Sequence, residues 1–520
     1  MTERACGGRM ELEAATVRAI TARGLARRRA NFRSGALVPM LLAPLLAFAC
    51  LPVAALTPPA APVLQWSACP DVPKTECASL DVPVDPARPD GAKFALRLGR
   101  VPAANAAEKK GMLLILPGGP GAGIVETIGG ESRKGFHIEE IAQQYDVVTF
   151  DPRGIGKSSP ILCAPNAVPP VAAPVATLPS PAGFQAIADA NAALYRSCFA
   201  ATGELMAHLS AVDTANDIER IRQALTPNDG LVAYGGSYGS LYGATYLELY
   251  GDHVKALVLD AVVDHSVDFA TLLTNNVLSV KDAFDRFTQW CARDSTCALH
   301  GQDLGAVFDA AVTAAPAART VVIQLLAAGS DPELGWPAIA KMLAQVRRGD
   351  SSTLDAMSRT TALGSTALDP RIVAGKNGLF AGVFCSDFAP QGDLAALSAA
   401  AAAVAAQAPR FAWKFWDATP LAHGTASATL CAGWPNAAIN PPHRLKVGPH
   451  PNVMVASPAN DPATPLANAL SLWLQIPQAR LLIADVDGHQ SWPLSACAFK
   501  AELRFLNDPT SVPITTLCPN

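Results

Sequence analysis

Gly235-Gly236-Ser237-Tyr238-Gly239 is the stretch of this chain best suited to chemistry. A short apolar run with strand character, Leu231-Val232-Ala233-Tyr234, leads into it, and the stretch from Leu241 to Tyr250 after it suits a helix. A G-x-S-x-G between strand and helix is a nucleophile elbow, a turn so tight that small residues must flank the serine. The turn lifts the hydroxyl off the sheet edge and sets the next backbone N–H beside it. That geometry serves acyl transfer. On its own, such a pentapeptide is also an ordinary Gly/Ser loop, so the rest of the chain decides.

Acyl transfer by serine needs a base to take the proton and an acid to orient that base. In the order Ser, Asp, His, both lie downstream at strand ends. Asn452 to Ser457 is a strand-like run that ends in Asn460-Asp461-Pro462-Ala463-Thr464-Pro465. Ala479 to Ala484 is another, and it ends in Asp487-Gly488-His489-Gln490. Of the nine histidines, His489 alone has this setting. Asp461 is the expected acid, and Asp485 and Asp487 lie too near His489 in sequence to back its imidazole.

A hole for the developing oxyanion is also legible. The apolar run Gly111 to Leu116 enters Pro117-Gly118-Gly119-Pro120-Gly121. Paired glycines let backbone N–H groups approach an oxyanion with no Cβ in the way. One donor is assigned to Gly119, with Gly118 as the neighbour that could replace it, and the second to Tyr238. A plain Gly/Pro turn is the alternative for this segment. A further strand, Tyr145 to Phe150, runs into Asp151-Pro152-Arg153-Gly154-Ile155-Gly156-Lys157-Ser158-Ser159.

With these segments in order, the chain resembles the α/β-hydrolase peptidases that include proline iminopeptidases and the secreted tripeptidyl aminopeptidases of bacteria. The helical stretch Asp217 to Arg222 and the strand Val258-Leu259-Asp260 extend the likeness over most of the chain. Iminopeptidases usually carry His before the Gly-Gly-Pro-Gly; Pro117 stands there, as the tripeptidyl aminopeptidase branch tolerates. The resemblance implies an α/β fold, a mostly parallel sheet flanked by helices with an inserted helical lid. It also implies a serine exopeptidase that releases short peptides, tripeptidyl or prolyl in type, from free amino termini. A carboxylesterase acting on small esters is the alternative, since the same triad serves both. A hydrolase-fold binding protein is the non-enzyme reading, and an intact Ser237, Asp461 and His489 set argues against it. A peptidase of this kind needs a lid carboxylate to pair with the substrate ammonium. Asp387, in Phe384-Cys385-Ser386-Asp387, is preferred to Glu333, because a bridge at Cys385 would fix its loop. A solvated surface aspartate is the alternative identity for Asp387.

The elements that must position these residues are bounded by composition. Of 520 residues, 50% are hydrophobic and only 16% charged, enough for a large core. A formal charge of −4 gives no reason to expect nucleic acid as a partner. Up to Arg33 there are eight arginines against three glutamates, followed by an apolar stretch from Ala36 to Ala49. That is the pattern of an export signal, with Ala47-Phe48-Ala49 as its cleavage site. Export to the periplasm or beyond is expected; lipid attachment at Cys50 is the alternative. No stable membrane partner is expected, because Pro39, Pro44 and Pro52 disfavour a spanning helix.

Twelve cysteines, less Cys6 and Cys50, leave ten in sequence-adjacent pairs. Proximity pairs them as Cys69–Cys77, Cys163–Cys198, Cys291–Cys297, Cys385–Cys431 and Cys497–Cys518. Neither C-x-x-C spacing nor clustered histidine points to a metal, and no cofactor is expected. Trp66 to Ala103 reads as an N-terminal strand pair, and strands and helices alternate from Gly111 to about Asp264. The segments Lys281–Arg293, Pro337–Arg348 and Asp393–Ala408 read as helices with no strands between, until sheet patterning returns at Pro451. The chain divides accordingly into a signal at 1–49, a first core part at 50–264, a helical lid at 265–442 and a second core part at 443–520.

Overall fold

A computed structural model describes residues 64–519, apart from 122, 131–132, 166–179, 332, 363–368, 389–393 and 417–426. The expected export signal and Cys50 lie outside the described residues. Ten strands form one sheet: β1 (Ser67–Ala68), β2 (Glu76–Pro83), β3 (Lys93–Val101), β4 (Met112–Leu116), β5 (Asp146–Phe150), β6 (Leu231–Gly236), β7 (Val254–Asp260), β8 (Val453–Asn460), β9 (Arg480–Asp487) and β10 (Thr515–Cys518). Their order across the sheet is β1-β2-β3-β5-β4-β6-β7-β8-β9-β10. The pairs β1–β2, β2–β3 and β3–β5 are antiparallel; from β5 onward every pairing is parallel.

The central strands are apolar on both faces because helices cover both. In β4, Met112, Leu114 and Leu116 enter one core, and Leu113 and Ile115 enter the other. A parallel strand buried on both sides reads as a continuous apolar run for this reason. The covering helices on the chain before β7 are α1 (Pro181–Thr202), α2 (Ala211–Leu225) and α3 (Tyr238–Tyr250). A capping box starts α2: the Ser210 hydroxyl accepts from Asp213 N–H, and the Asp213 carboxylate accepts from Ser210 N–H.

Between β7 and β8 the described residues hold helices and no strand. They are α4 (Phe269–Arg293), α5 (Leu304–Ala314), α6 (Ala317–Leu326), α7 (Trp336–Arg347), α8 (Ser352–Ala362), α9 (Pro370–Asp387) and α10 (Leu394–Gln407). Asp268 caps α4, and Leu273, Val277, Val280, Phe284, Phe287 and Cys291 recur on its buried side at helical spacing. After β8 come α11 (Leu466–Trp473) and α12 (Ala496–Asn507). The expected helices at 281–293, 337–348 and 393–408 are therefore present, the first as the end of the longer α4.

All five expected disulfides form. Cys69–Cys77 and Cys497–Cys518 lie at the two margins of the sheet, while Cys385–Cys431 ties α9 to a later part of the insert. Among the described residues no helix is long and apolar enough to cross a membrane.

Candidate active site

Parallel strands bring β4, β6, β8 and β9 to a common edge with their carboxyl ends, and the loops that leave them converge there. Ser237 is the single residue between β6 and α3, at φ 58° and ψ −129°. That is a strained backbone for a residue with a Cβ. Its neighbours have to be glycine: a Cβ on Gly235 would lie 2.4 Å from the Gly239 carbonyl oxygen, and one on Gly239 would lie 2.5 Å from that of Leu116. The strain is held from outside. Ser237 N–H donates to the Asp260 carbonyl at 3.1 Å, and the Ser240 hydroxyl donates to the Ser237 carbonyl at 2.6 Å.

His489 follows β9 and Asp461 follows β8. His489 Nδ1 lies 2.8 Å from Asp461 Oδ2 and 3.0 Å from Oδ1. The buried carboxylate also accepts the N–H groups of Ala463 and Thr464, at 2.8 and 2.9 Å, and the Thr464 hydroxyl at 3.0 Å. An imidazole that donates from Nδ1 to this carboxylate leaves Nε2 as its free acceptor. Burial pushes the His489 imidazole down, but the charge and hydrogen bond of Asp461 outweigh it and hold the ring above its ordinary value. Asp487, set aside from the sequence as the acid, pairs with Arg286 of α4.

Ser237, His489, Gly118, Gly119 and Tyr238 open onto one cavity of about 430 Å³. A Cβ on Gly118 would come within 3.9 Å of the Ser237 hydroxyl oxygen, so the glycine loop passes close to the nucleophile. The walls opposite belong to the helical insert: Leu272, Leu273, Asn276 and Val280 of α4, Ile323 and Gln324 of α6, Phe384 of α9, and Lys414. The insert also touches His489 directly, since its main-chain N–H donates to the Ala327 carbonyl at 2.7 Å.

Asp387 does not meet the sequence expectation. It ends α9 fully buried and is not among the residues lining the cavity. Its carboxylate accepts the Tyr238 hydroxyl at 2.6 Å, Ala211 N–H at 2.7 Å and the Asn440 amide at 3.3 Å. Those partners turn it behind Tyr238 and leave it no face toward a substrate ammonium. Burial pushes it up to about 7 despite these donors. Glu333, the other candidate, is exposed and also absent from the lining.

Lys414 and Asn276, hydrogen bonded to each other at the cavity wall, escaped the sequence reading. One signal was available: Lys414 stands alone within the aromatic run Phe411-Ala412-Trp413-Lys414-Phe415-Trp416, where a buried cation is improbable without a purpose. Asn276 carries no such signal.

Arg153 and Asp217, in the segments on which the family likeness partly rests, form a buried ion pair at 2.7 Å that joins the loop after β5 to α2. They hold the scaffold and stand away from the cavity lining.

Comparison with known proteins agrees with this architecture. A family model described as alpha/beta hydrolase fold matches residues 111–324, and a second, described as TAP-like protein, matches residues 419–518. Carboxylesterase B of Mycobacterium tuberculosis is 29% identical over 495 residues, 89% of this chain and 91% of that protein. Serine protease Hip1 of the same species is 33% identical over 234 residues, 44% of each chain. Tripeptidyl aminopeptidase of Streptomyces lividans is 35% identical over 215 residues, 39% of each chain. A serine on a strand-to-helix elbow, read together with these matches, makes this chain a serine hydrolase of the α/β-hydrolase fold, with a carboxyl-terminal segment similar to TAP-like proteins.

Proposed function

We propose that this chain is an exported serine exopeptidase that removes short peptides with apolar side chains from free amino termini through an acyl-enzyme. Ser237 attacks the scissile carbonyl, His489 Nε2 takes its proton and later returns it to the leaving amine, and Asp461 stabilises the imidazolium. The N–H groups of Gly119 and Tyr238 receive the oxyanion. One observation carries the reading: the hydrogen-bonded His489–Asp461 pair and the strained Ser237 open onto the same, largely apolar cavity. The TAP-like match and the two peptidase relatives support amides as substrates. Five disulfides among ten cysteines, together with the amino-terminal pattern, support an oxidising destination.

A second reading, a carboxylesterase, is favoured by a specific observation. No carboxylate lines the cavity among the described residues, and the relative aligned over nearly the whole chain is a carboxylesterase. The two part at the substrate's amino group. A free tripeptide anilide should be cleaved at least about a hundredfold faster than its N-acetylated form if an ammonium is recognised. Equal rates on the two, or fast hydrolysis of short acyl esters with no peptide turnover, would establish the esterase instead.

A further inference from the structure

The end of β7 serves both halves of the site. Asp260 gives its main-chain carbonyl to the N–H of Ser237, while its side chain reaches the residues just after His489. Oδ2 accepts the N–H groups of Ser491 and Trp492 at 2.8 and 3.2 Å, and the Tyr234 hydroxyl at 2.8 Å. Oδ1 accepts the Ser491 hydroxyl at 2.8 Å. Asp260 is 0% exposed, and so is Glu502 of α12, whose Oε1 lies 2.8 Å from the same Ser491 hydroxyl.

Proton counting decides the state of this pair. A serine hydroxyl has one hydrogen and cannot donate to two carboxylates at once. One of the two contacts must therefore use a hydrogen held by a carboxylic acid. Asp260 already receives three other donors. Glu502 Oε2 is buried with no hydrogen-bond partner among the described residues. A bare buried carboxylate oxygen is far more costly than a bare carbonyl oxygen. The proton thus belongs on Glu502 Oε1, which donates to Ser491 Oγ, which donates to Asp260 Oδ1. The titratable groups about this chain are Asp260 from β7, Tyr234 from β6 and, beyond Asp260, His489. Burial first and the Asp260 charge second push Glu502 well above the carboxyl range.

We propose that Glu502 is a neutral carboxylic acid in the resting enzyme and a positioning residue. Through Ser491 it keeps Asp260 the single anion that ties the nucleophile turn to the turn after His489. The catalytic consequence rests on the roles assigned above to Ser237 and His489; the protonation state does not.

Infrared spectra of wild type and Glu502→Gln at about pH 7 should differ by one protonated-carboxyl C=O band that wild type shows beyond those, such as the Asp387 band, common to both. Stability supplies a second readout. Unfolded, this glutamate ionises near 4.5, whereas the fold keeps it neutral. Through this group wild type loses stability as pH rises from about 5 to 8, a loss that Glu502→Gln is spared, so the Tm gap should widen in favour of glutamine. Glu502→Gln, which can still donate to Ser491, should keep kcat/KM within about threefold with the same pH midpoint. Glu502→Leu, which cannot donate, should lose about tenfold or more in kcat. Absence of that difference band, or a Tm gap that stays flat with pH, overturns the neutral acid. A Glu502→Gln variant as inactive as Glu502→Leu overturns the positioning role. Failure of the serine mechanism would show differently, as wild type without turnover and an unaltered infrared band.

Discussion

Strand ends and helical insert contribute to the same cavity by opposite means. On the sheet side, each residue of the proposed triad is one or two residues from a strand whose register is fixed on both flanks: Ser237 after β6, Asp461 after β8, His489 after β9. On the insert side, the wall is assembled from α4, α6, α9 and Lys414, which are distant in sequence and meet only by packing. The first arrangement is stiff and repeats wherever the fold does. Most of the second can vary without moving the chemistry. Bond breaking should therefore fail on the sheet side, and selectivity should change on the insert side.

Ser237→Ala is the harshest test of that division. It should lower kcat/KM by more than about a thousandfold with little change in Tm, and residual turnover should come from binding and the oxyanion donors. Activity within about tenfold of wild type would remove the serine from the mechanism. A fluorophosphonate probe should label Ser237 in wild type and nothing in the variant.

Asp461→Asn comes next, with a loss of about a hundredfold or more through a wrong tautomer and an unsupported imidazolium. It also has a pH signature. Asp461 holds His489 above the ordinary histidine value, so wild-type kcat/KM should rise with pH through a midpoint above 6.5 as the base loses its proton. Removing the charge should move that rise to lower pH while lowering its plateau. An unmoved midpoint would mean that another group orients the imidazole.

Smaller effects are expected from the insert. Removing the Cys385–Cys431 bridge by paired serine substitutions should cost about 2 to 4 kcal/mol of stability, the usual range for a structural disulfide. Hydrolysis of a small activated ester, which draws mainly on the sheet-side groups, should survive within about threefold at a temperature where the variant is folded. Loss of that activity in the folded variant would show that the insert supports the chemistry itself.

Asp387→Asn should perturb catalysis least, within about threefold, and leave the ratio of free to acetylated substrate unchanged. Its effect belongs to stability. An unfolded aspartate ionises near 3.8, whereas burial holds Asp387 at about 7. The native state thus gives up stability as pH rises through that interval, and the asparagine variant should show a flatter Tm profile. A collapse of the preference for free amino termini in this variant would restore Asp387 as the ammonium partner.

The same contrast explains what could be read from residues alone. The elbow, both acid–base loops and the glycine loop were legible because each pairs a distinctive residue set with an apolar run that can only be a buried strand. Five disulfides followed from sequence adjacency. Thr515–Cys518 carries little strand signal, being four residues long with an exposed leucine. Asp387 was misread for a deeper reason. Sequence shows that a carboxylate follows Cys385, but whether it faces substrate or the back of Tyr238 depends on how α9 packs against α2 and α3. Lys414 and Asn276 meet across 138 positions of chain, and no local pattern encodes such a meeting.

The bond from His489 N–H to the Ala327 carbonyl bears on how this chain can diversify. If the insert only roofed the cavity, recombination could exchange it between relatives and yield new specificities on an unchanged engine. Here the exchanged piece would carry away an acceptor for the backbone of His489, the proposed base. A chimera that brings no carbonyl to that spot should inherit a new substrate range and a loosened histidine together. Specificity and rate in this chain are thus partly one trait, joined through a single main-chain oxygen.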